Sequence, residues 1–256
     1  MSDIALVTRQ IRYENRAFWR NPAAAFFTFA FPLMFLVIFN TVLASGEIPY
    51  GGEMISTKTY YVPAIAAFSI ITTCYTNIAM SITFARDEGV LKRKRGTPLP
   101  AWAYLAGRIF HSVLLAILLV AIVALAGALF YDAEISTQTL PAFLVTLAVG
   151  AAAFCALGLA VTALVPNAEA APAVIQAIIL PLLFISGVFI PLQNIPGWLD
   201  AISNFFPVRH YVEAMLASFI ESGIGFPRDD LIVVAIWGIG GLLLAVRFFR
   251  WEAKRG

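Results

Sequence analysis

The chain has 256 residues, of which 61% are hydrophobic and only 12% are charged, and its formal net charge at pH 7 is +2. Its mean hydropathy is +0.85. A soluble domain of ordinary composition carries about 25% charged residues, so this chain lacks the charge to cover a soluble globule. Disorder is also excluded, because disordered chains are too poor in hydrophobic residues to collapse, whereas this chain is rich in them. Cys74 and Cys155 lie inside apolar runs, which excludes a disulfide-built secreted domain and predicts two small buried side chains.

Six apolar stretches are long enough, or nearly so, to cross the roughly 30 Å hydrocarbon core of a bilayer as helices. They are 23–44, 60–85, 105–131, 140–165, 171–190 and 231–249. Pro32, Pro63 and Pro181 lie within them, where neighbouring helices can satisfy the carbonyl that each proline leaves free. The sequence therefore predicts an all-α integral membrane protein with six transmembrane helices, kinked at these prolines.

The basic residues predict the orientation of the spans, because cytoplasmic connections are enriched in lysine and arginine. Fourteen of the 17 lie before the first span, in or beside the connection after the second, or at and after the end of the sixth. The other three, Lys58, Arg209 and Arg228, fall on the opposite side. Both termini are thus predicted to be cytoplasmic, in a multi-pass protein of the inner (cytoplasmic) membrane. The membrane topology explains where the lysines and arginines lie, so the basic residues do not predict a nucleic-acid partner.

Residues 1–22 are predicted to form an amphipathic helix. With the rotation of about 100° per residue of an α-helix, their apolar side chains and their arginines fall on opposite faces. The apolar set is Ile4, Val7, Ile11 and Phe18, and the basic set is Arg9, Arg12, Arg16 and Arg20. Such a helix lies on the cytoplasmic surface with its arginines near anionic lipid; the alternative is a solvated leader helix. Residues 23–249 then form the six-span domain, and 250–256 a cytoplasmic tail.

The outer connection 191–230 is divided by four prolines into pieces that are each too short to span. The prolines are Pro191, Pro196, Pro207 and Pro227. Two semi-apolar runs of about 12 residues, 195–206 and 208–220, have the length of interfacial or re-entrant helices. We expect them to cap the outer side of the last two spans.

The sequence carries no motif for nucleotide binding or catalysis. It lacks the G-x-x-x-x-G-K-[ST] pattern, and none of its glycines precedes a lysine. His210 and Glu213 lie one helical turn apart, but a catalytic zinc ion needs three protein ligands, so neither a metal site nor a catalytic site is predicted. Proton- and ion-coupled pumps place carboxylates within the bilayer, and these spans have almost no ionisable groups. The energy source is therefore predicted to lie in a partner.

Polar side chains inside the spans are candidates for a substrate path. They are Asn40, Thr72, Thr73, Thr76, Asn77 and Gln176. Four of them fall within about one and a half helical turns of the second span. The other interpretation, that they hydrogen-bond neighbouring helices, is equally open.

The second cytoplasmic connection, 86–102, has the most distinctive pattern. Asp87 and Glu88 precede a glycine, and Leu91 precedes the basic run 92–95. A short helix with charges of both signs and one exposed leucine predicts a docking element for a soluble partner. The alternative is that the basic run serves only to fix topology.

The chain resembles the permease subunits of ABC exporters of the ABC-2 type. The first cytoplasmic loop of that family carries an acidic residue, a glycine, a leucine, a basic stretch and a Thr-Pro pair. The corresponding residues are Glu88, Gly89, Leu91, Arg93, Thr97 and Pro98. Lys94 stands where the family often has leucine. Residues 20–40 and 186–215 also resemble family segments, so the resemblance covers essentially the whole chain.

The resemblance implies one half of a transporter. Two copies of the chain, or this chain and a related permease, would face each other as a homodimer or heterodimer and dock two ATP-binding subunits. ATP and magnesium would bind to those subunits, and no cofactor is expected in this chain. The implied coupling helix covers 86–98, with contact residues Arg86, Asp87, Glu88, Gly89, Leu91, Arg93, Arg95, Thr97 and Pro98. The implied outer re-entrant motif comprises Ser186, Gly187, Pro191, Pro196, Gly197, Trp198, Pro207 and Glu213.

The implied cargo is a drug or another hydrophobic or lipid-like compound, exported across the cytoplasmic membrane of a prokaryote. A permease for lipid-linked polysaccharide is the neighbouring alternative. From other classes, a self-sufficient channel or ion-coupled carrier and a lipid-modifying membrane enzyme stay open; the enzyme would depend on His210 and Glu213.

Overall fold

A computed structural model describes residues 3–43, 46–96, 99–131, 133, 138–192, 195–220 and 226–249. Over these residues the chain is helical apart from one β-hairpin. The α-helices are α1 (Asp3–Trp19), α2 (Pro22–Ile38), α3 (Thr57–Ile71), α4 (Asn77–Asp87), α5 (Val90–Arg95), α6 (Ala101–Phe130), α7 (Leu140–Val161), α8 (Ala171–Phe184), α9 (Gly197–Phe205), α10 (Pro207–Phe219) and α11 (Arg228–Phe248). The π-helices are π1 (Phe39–Leu43) and π2 (Thr72–Thr76), and the strands are β1 (Glu47–Tyr50) and β2 (Glu53–Ser56).

Five continuous helices are long and apolar enough to cross a bilayer. They are Pro22–Leu43 (span 1), Thr57–Asp87 (span 2), Trp102–Phe130, Leu140–Val161 and Arg228–Phe248. They correspond to five of the six predicted spans and agree with an all-α membrane protein. The predicted span 171–190 instead contains the shorter helix α8, whose 14 residues extend about 21 Å. Six crossings therefore remain a prediction.

Helix α8 ends early because the chain turns sharply after it. Gly187 adopts a φ of +88°, in the left-handed region that favours glycine. The hydroxyl of Tyr60 donates to the carbonyl of Gly187 at 2.7 Å, and that of Tyr61 donates to the carbonyl of Phe189 at 3.2 Å. Non-helical backbone at membrane depth needs such internal partners. The two tyrosines thus stabilise the irregular segment that follows α8.

Span 2 is the centre of the bundle and the most buried of the five long helices. It consists of α3, π2 and α4 in series. The π2 segment packs against α7 at Gly158, where a Cβ atom would lie 2.7 Å from the carbonyl oxygen of Tyr75. Only glycine allows this backbone approach, and close contacts at small residues are typical of membrane helices.

The two helices predicted between 191 and 230 are confirmed as α9 and α10. Helix α9 lies on the outer surface and exposes Trp198 and Phe205. Helix α10 is a core element, because Tyr211, Val212 and Met215 are fully buried and the helix packs against α3, α7 and α11. Whether either helix is re-entrant stays a prediction.

The connection between spans 1 and 2 forms a β-hairpin that was not predicted from the sequence. Its strands pair in antiparallel register around Gly51 and Gly52, which both adopt positive φ. Paired positive φ values are what a two-residue hairpin turn requires. The hydroxyl of Tyr50 donates to the carbonyl of Glu213 on α10, so the hairpin covers the outer end of the bundle.

Helix α1 is present as predicted, but its packing face is rotated away from the expected one. Gln10 is its buried residue and faces α6, whereas Ile4 is 79% exposed. Glu14 pairs with Arg108 of α6 at 3.3 Å. The apolar residues border a groove with Trp102, so their proposed contact with lipid remains a prediction. The predicted tail 250–256 lies outside the described residues.

Arg86, at the end of span 2 that is predicted to be cytoplasmic, joins this helix to the chain after α7. Its guanidinium is buried and donates to the carbonyls of Thr162, at 3.0 Å, and Val165, at 2.6 Å. These residues directly follow the last turn of α7, where helix carbonyls lack intrahelical partners and the helix dipole is negative. The next residue, Asp87, accepts a hydrogen bond from the backbone N–H of Ala168 at 3.0 Å, near the start of α8.

We expect Arg86→Met to lower the free energy of unfolding by about 3 kcal/mol, because two charge-assisted hydrogen bonds are lost and buried carbonyls are left without donors. Arg93→Met is the matched control: Arg93 is exposed on α5, and this change should shift the free energy by less than about 0.5 kcal/mol. Denaturant unfolding of the purified protein in detergent measures both. Equal effects of the two substitutions would show that the Arg86 contacts contribute nothing.

Candidate functional site

The end of α4 and the short helix α5 form an elbow on the side predicted to be cytoplasmic, and we call residues 86–95 the coupling elbow. The chain reverses at Gly89, whose φ of +70° lies in the left-handed region. A side chain at this position would be strained even though the surrounding space is open. The glycine predicted for the loop thus supplies the bend between α4 and α5.

The inner face of the coupling elbow is held by two residues. Leu91 is 0% exposed and belongs to the hydrophobic core, so the prediction of an exposed leucine is wrong. Lys94 lies 4.0 Å above the ring of Tyr104 on α6, where burial lowers the pKa of its ammonium group. The leucine common in the family at position 94 is thus replaced by a lysine that packs its stem and charge on an aromatic ring.

The outer face of the coupling elbow is charged and open. Glu88, Lys92 and Arg93 are exposed side by side, with opposite charges within one and a half turns. Arg86 is buried, and the exposed Asp87 accepts a hydrogen bond from Ala168 in the loop before α8, so these two residues hold the elbow against the bundle. Of the other predicted contact residues, Thr97, Pro98 and the side chain of Arg95 lie outside the described residues.

Helix α1 is tied to the same region through α6. The Arg108 guanidinium that pairs with Glu14 also lies 5.3 Å from the centre of the Tyr104 ring, the same ring that Lys94 contacts. The carboxylate of Glu14 partly offsets the lowering of the Lys94 pKa. Helices α1, α5 and α6 therefore meet in one cluster of alternating charges around Tyr104.

Spans 1 and 2 enclose a cavity of about 360 Å³ that contains part of the predicted substrate path; we call it the front cavity. Its span 2 wall carries Thr72, Thr73 and Asn77, and its span 1 wall carries Phe27 and Phe31 among other apolar residues. An apolar surface opposite a few polar groups is the usual composition of a small-molecule site. The structure therefore brings three of the six predicted path residues together.

The other three predicted path residues lie outside the lining of the front cavity. Asn40 is buried in π1 and donates to the carbonyl of Leu36 at 3.0 Å. Thr76 has a buried hydroxyl with no partner among the described residues, and Gln176 is half-buried on α8. The alternative interpretation also has support, since the hydroxyl of Thr72 donates to the carbonyl of Phe68 within its own helix.

The predicted outer motif falls into two groups. Ser186, Gly187, Pro191 and Glu213 line one small cavity of about 90 Å³ together with the hairpin. In the second group, Pro196 precedes α9 and Pro207 begins α10, so they act as helix starts, where proline is well tolerated. Gly197 and the exposed Trp198 form the first turn of α9.

Arg209 is the centre of the outer region. Its guanidinium donates to Asp200 of α9 at 2.6 Å, to Glu213 at 2.7 Å and to the hydroxyl of Ser203 at 2.6 Å. It thereby fixes α9 against α10 through charge-assisted bonds. Burial raises the pKa of Tyr50 beside this network, and the carboxylate of Glu213 raises it further.

His210 has an acidic partner that the sequence analysis missed. Its Nδ1 lies 2.7 Å from Asp230 at the start of α11, and its Nε2 lies 2.8 Å from the carbonyl oxygen of Asn204. Among the described residues, His210, Glu213 and Asp230 could bring three ligand atoms within 4.8 Å of one another. Glu213 already pairs with Arg209, so these side chains form a hydrogen-bonded network that joins α10 to the start of α11.

The comparisons with known proteins agree with this architecture. The chain is 25% identical over 182 residues to the "Probable multidrug ABC transporter permease YbhR" of Escherichia coli, which covers 70% of this chain and 48% of that protein. It is 23% identical over 227 residues to the "Putative transport permease ycf38" of Porphyra purpurea, or 86% of this chain and 75% of that protein. It is 28% identical over 231 residues to the "Daunorubicin resistance ABC transporter permease protein DrrB1" of Streptomyces coeruleorubidus, or 86% and 77%.

The match thus spans about half the length of YbhR. A family model described as "ABC-2 type transporter" matches residues 5–220, from α1 to the end of α10. Permeases of this family are multi-pass membrane components of transporters that work with an ATP-binding subunit, and are not themselves enzymes. With most of its length matched, the chain belongs to the ABC-2 type transporter family.

Proposed function

We propose that the chain is the membrane half of an ATP-driven exporter of hydrophobic or amphipathic compounds. The observation that supports this most is the coupling elbow: an exposed face of mixed charge, held from below by Tyr104 of α6 and by the connection between α7 and α8. A solvated loop that served only to fix topology would not need a fully buried leucine and a cation seated on a tyrosine. A separate subunit would bind ATP and magnesium and press on this face.

The contacts of the coupling elbow determine which helices would move if the ATP-binding subunit displaced α5. Leu91 joins α5 to the core below it, and α4 continues without a break through π2 into the rest of span 2. Arg86 passes the movement to α7, and the bond from Ala168 to Asp87 passes it to the chain before α8. A push on α5 would therefore move span 2, and with it one wall of the front cavity.

The front cavity indicates the class of cargo. Its span 1 wall is apolar except for Thr28, whose hydroxyl donates to the carbonyl of Ala24 in its own helix, and its span 2 wall offers two hydroxyls and one amide. That combination suits a compound with a large apolar surface and a few hydrogen-bonding groups better than it suits a glycan, which needs many polar partners. The names of the multidrug and daunorubicin resistance relatives support the same proposal.

We further propose an assembly of two permeases with two ATP-binding subunits in the cytoplasmic membrane of a prokaryote. Span 1 is the least buried of the long helices and exposes Phe26, Phe27 and Phe31. An apolar face beside the front cavity is available to a second copy, either identical or related. Relatives from Escherichia coli and Streptomyces coeruleorubidus support the prokaryotic assignment.

We expect Glu88→Gln and Arg93→Gln each to weaken binding of the ATP-binding subunit about tenfold, because exposed interface charges guide and orient association. The chain and an ATP-binding subunit of an ABC transporter are reconstituted in nanodiscs, and affinity and cargo-stimulated ATP hydrolysis are measured together. Glu53→Gln, an exposed carboxylate on the outer hairpin, is the matched control and should change neither.

Unaltered affinity in both elbow variants would exclude this face as the contact. Transport of cargo by the purified chain in liposomes without any ATPase would contradict the proposal as a whole and favour a self-sufficient carrier.

We expect Asn77→Leu to raise the daunorubicin concentration needed for half-maximal stimulation of ATP hydrolysis about fivefold, because one hydrogen-bonding group of the front cavity is lost. Ser81→Ala, one turn further along span 2 and outside the cavity lining, is the control and should leave that concentration unchanged. Identical curves for both variants would exclude Asn77 from the cargo site.

A further inference from the structure

Among the residues that the structure describes, the walls of the front cavity include no acidic or basic side chain. The lining consists of apolar residues, three threonines and Asn77. The two helices that carry it are also uncharged over most of their length. Span 1 has no Asp, Glu, Lys, Arg or His residue, and span 2 has none between Lys58 and Arg86. A charged group in the cavity would therefore meet no countercharge from either wall.

The polar side of the front cavity lies deep within the spans. Asn77 is 10 residues before Asp87, the end of span 2, which is about 15 Å along the helix and half the thickness of the hydrocarbon core. On span 1, Phe31 is nine residues after Pro22, about 14 Å from the start of that helix. Charged lipid headgroups lie outside this depth, so an ion placed there would lose its hydration without gaining a partner.

An ion in this position is costly to accommodate. Moving an ionised group from water into apolar surroundings without a partner costs far more than moving a neutral polar group. Phe27 and Phe31 line the cavity and could attract a cation through their rings. That attraction is weaker for phenylalanine than for tryptophan and does not replace a lost hydration shell. The cavity therefore discriminates between compounds by their charge.

Asn77 is the polar group of the front cavity that is best placed to bind a compound. The hydroxyls of Thr28 and Thr72 already donate to carbonyls of their own helices, at 2.8 Å and 2.9 Å. Thr73 is only 3% exposed. Asn77 is half-buried, and its side chain forms no hydrogen bond with another described residue. Its carboxamide offers two donors and one acceptor oxygen.

We infer that the front cavity selects uncharged compounds and pairs one of their polar groups, an amide or a hydroxyl, with the carboxamide of Asn77. Such a group matches Asn77 because it both donates and accepts hydrogen bonds. The inference rests on the proposed function, in which this cavity holds the cargo. It adds that an amine cargo enters as its neutral base and that a permanent cation is excluded.

Two derivatives of daunorubicin that differ in charge test this selection. N-acetyl-daunorubicin is uncharged, whereas N,N,N-trimethyl-daunorubicin carries a permanent cation of similar size. Their own fluorescence reports binding to the purified chain in nanodiscs of zwitterionic lipid. Thr28→Phe, which fills the cavity from span 1, measures the partition into lipid that must be subtracted. The N-acetyl compound should bind more tightly than the trimethyl compound by about tenfold or more.

The outcomes separate this inference from the proposed function. Equal affinity for both compounds, with binding lost in Thr28→Phe, would overturn the selection by charge and leave the cavity as the cargo site. The N-acetyl compound is also tested for stimulation of ATP hydrolysis in the reconstituted complex. Stimulation together with equal binding to the parent and to Thr28→Phe would overturn the inference while export stands. If neither compound binds or stimulates, the inference and the proposed class of cargo both fail.

Asn77→Asp places a carboxylate at the same position with almost no change in shape. At about pH 8 it should raise the affinity for the trimethyl compound by about tenfold or more, because the cation then meets a countercharge in apolar surroundings. Asn15→Asp is the matched control: Asn15 is exposed on α1, outside the cavity lining, and the change should leave both affinities unaltered. An unaltered preference in Asn77→Asp would exclude Asn77 from the contact with the compound.

Discussion

The buried guanidinium of Arg86 is the interaction on which the cytoplasmic half of the molecule depends. The spans are apolar, so the carbonyls at the end of α7 have no water that could donate hydrogen bonds to them. They need a donor from the protein instead. Arg86 provides two hydrogen bonds to them from the last turn of span 2. The chain that leaves this turn forms the coupling elbow, whose position is therefore set by the packing of two membrane helices. The surface that we propose receives force from the ATP-binding subunit is thus attached directly to the bundle.

The need of backbone carbonyls for hydrogen-bond donors from the protein also determines the structure of the outer half. Helix α8 is too short to complete a crossing as a single helix, and the segment after Gly187 has carbonyls that no helix satisfies. Tyr60 and Tyr61 of span 2 donate to that segment. Arg209 then joins α9 to α10 through Asp200 and Glu213. Span 2 thereby forms hydrogen bonds with neighbouring segments of the same chain at both of its ends. We therefore propose that span 2 is the helix that moves during transport.

Much of this architecture follows from hydropathy alone. Five long spans, the amphipathic helix at the N-terminus and the two short outer helices could be placed because their periods and lengths are unambiguous. The hairpin could have been found from Gly51 and Gly52 flanked by β-prone residues, a signal that is easily missed when strands have only four residues. The end of α8 depends on distant tyrosine hydroxyls and has no local signal.

The site was harder to predict than the fold, since it depends on burial that no local pattern shows. Leu91 lies two residues after Gly89 in a segment rich in charged residues, and no local pattern in the sequence shows that α5 turns this side chain into the core. Asp230 lies 20 residues after His210 and meets it only because α11 begins beside α10.

The central claim is that the coupling elbow and the start of α8 move as one rigid unit with span 2. The most direct measurement is the distance between spin labels at Lys92 on α5 and Glu169 before α8, with Cys74 and Cys155 replaced by alanine, in the complex with its ATP-binding subunit. If the elbow and the start of α8 move together, the labels should give one narrow distance distribution that is the same with and without bound ATP. Separation of the two labels on ATP binding, or a broad distribution in either state, would contradict it.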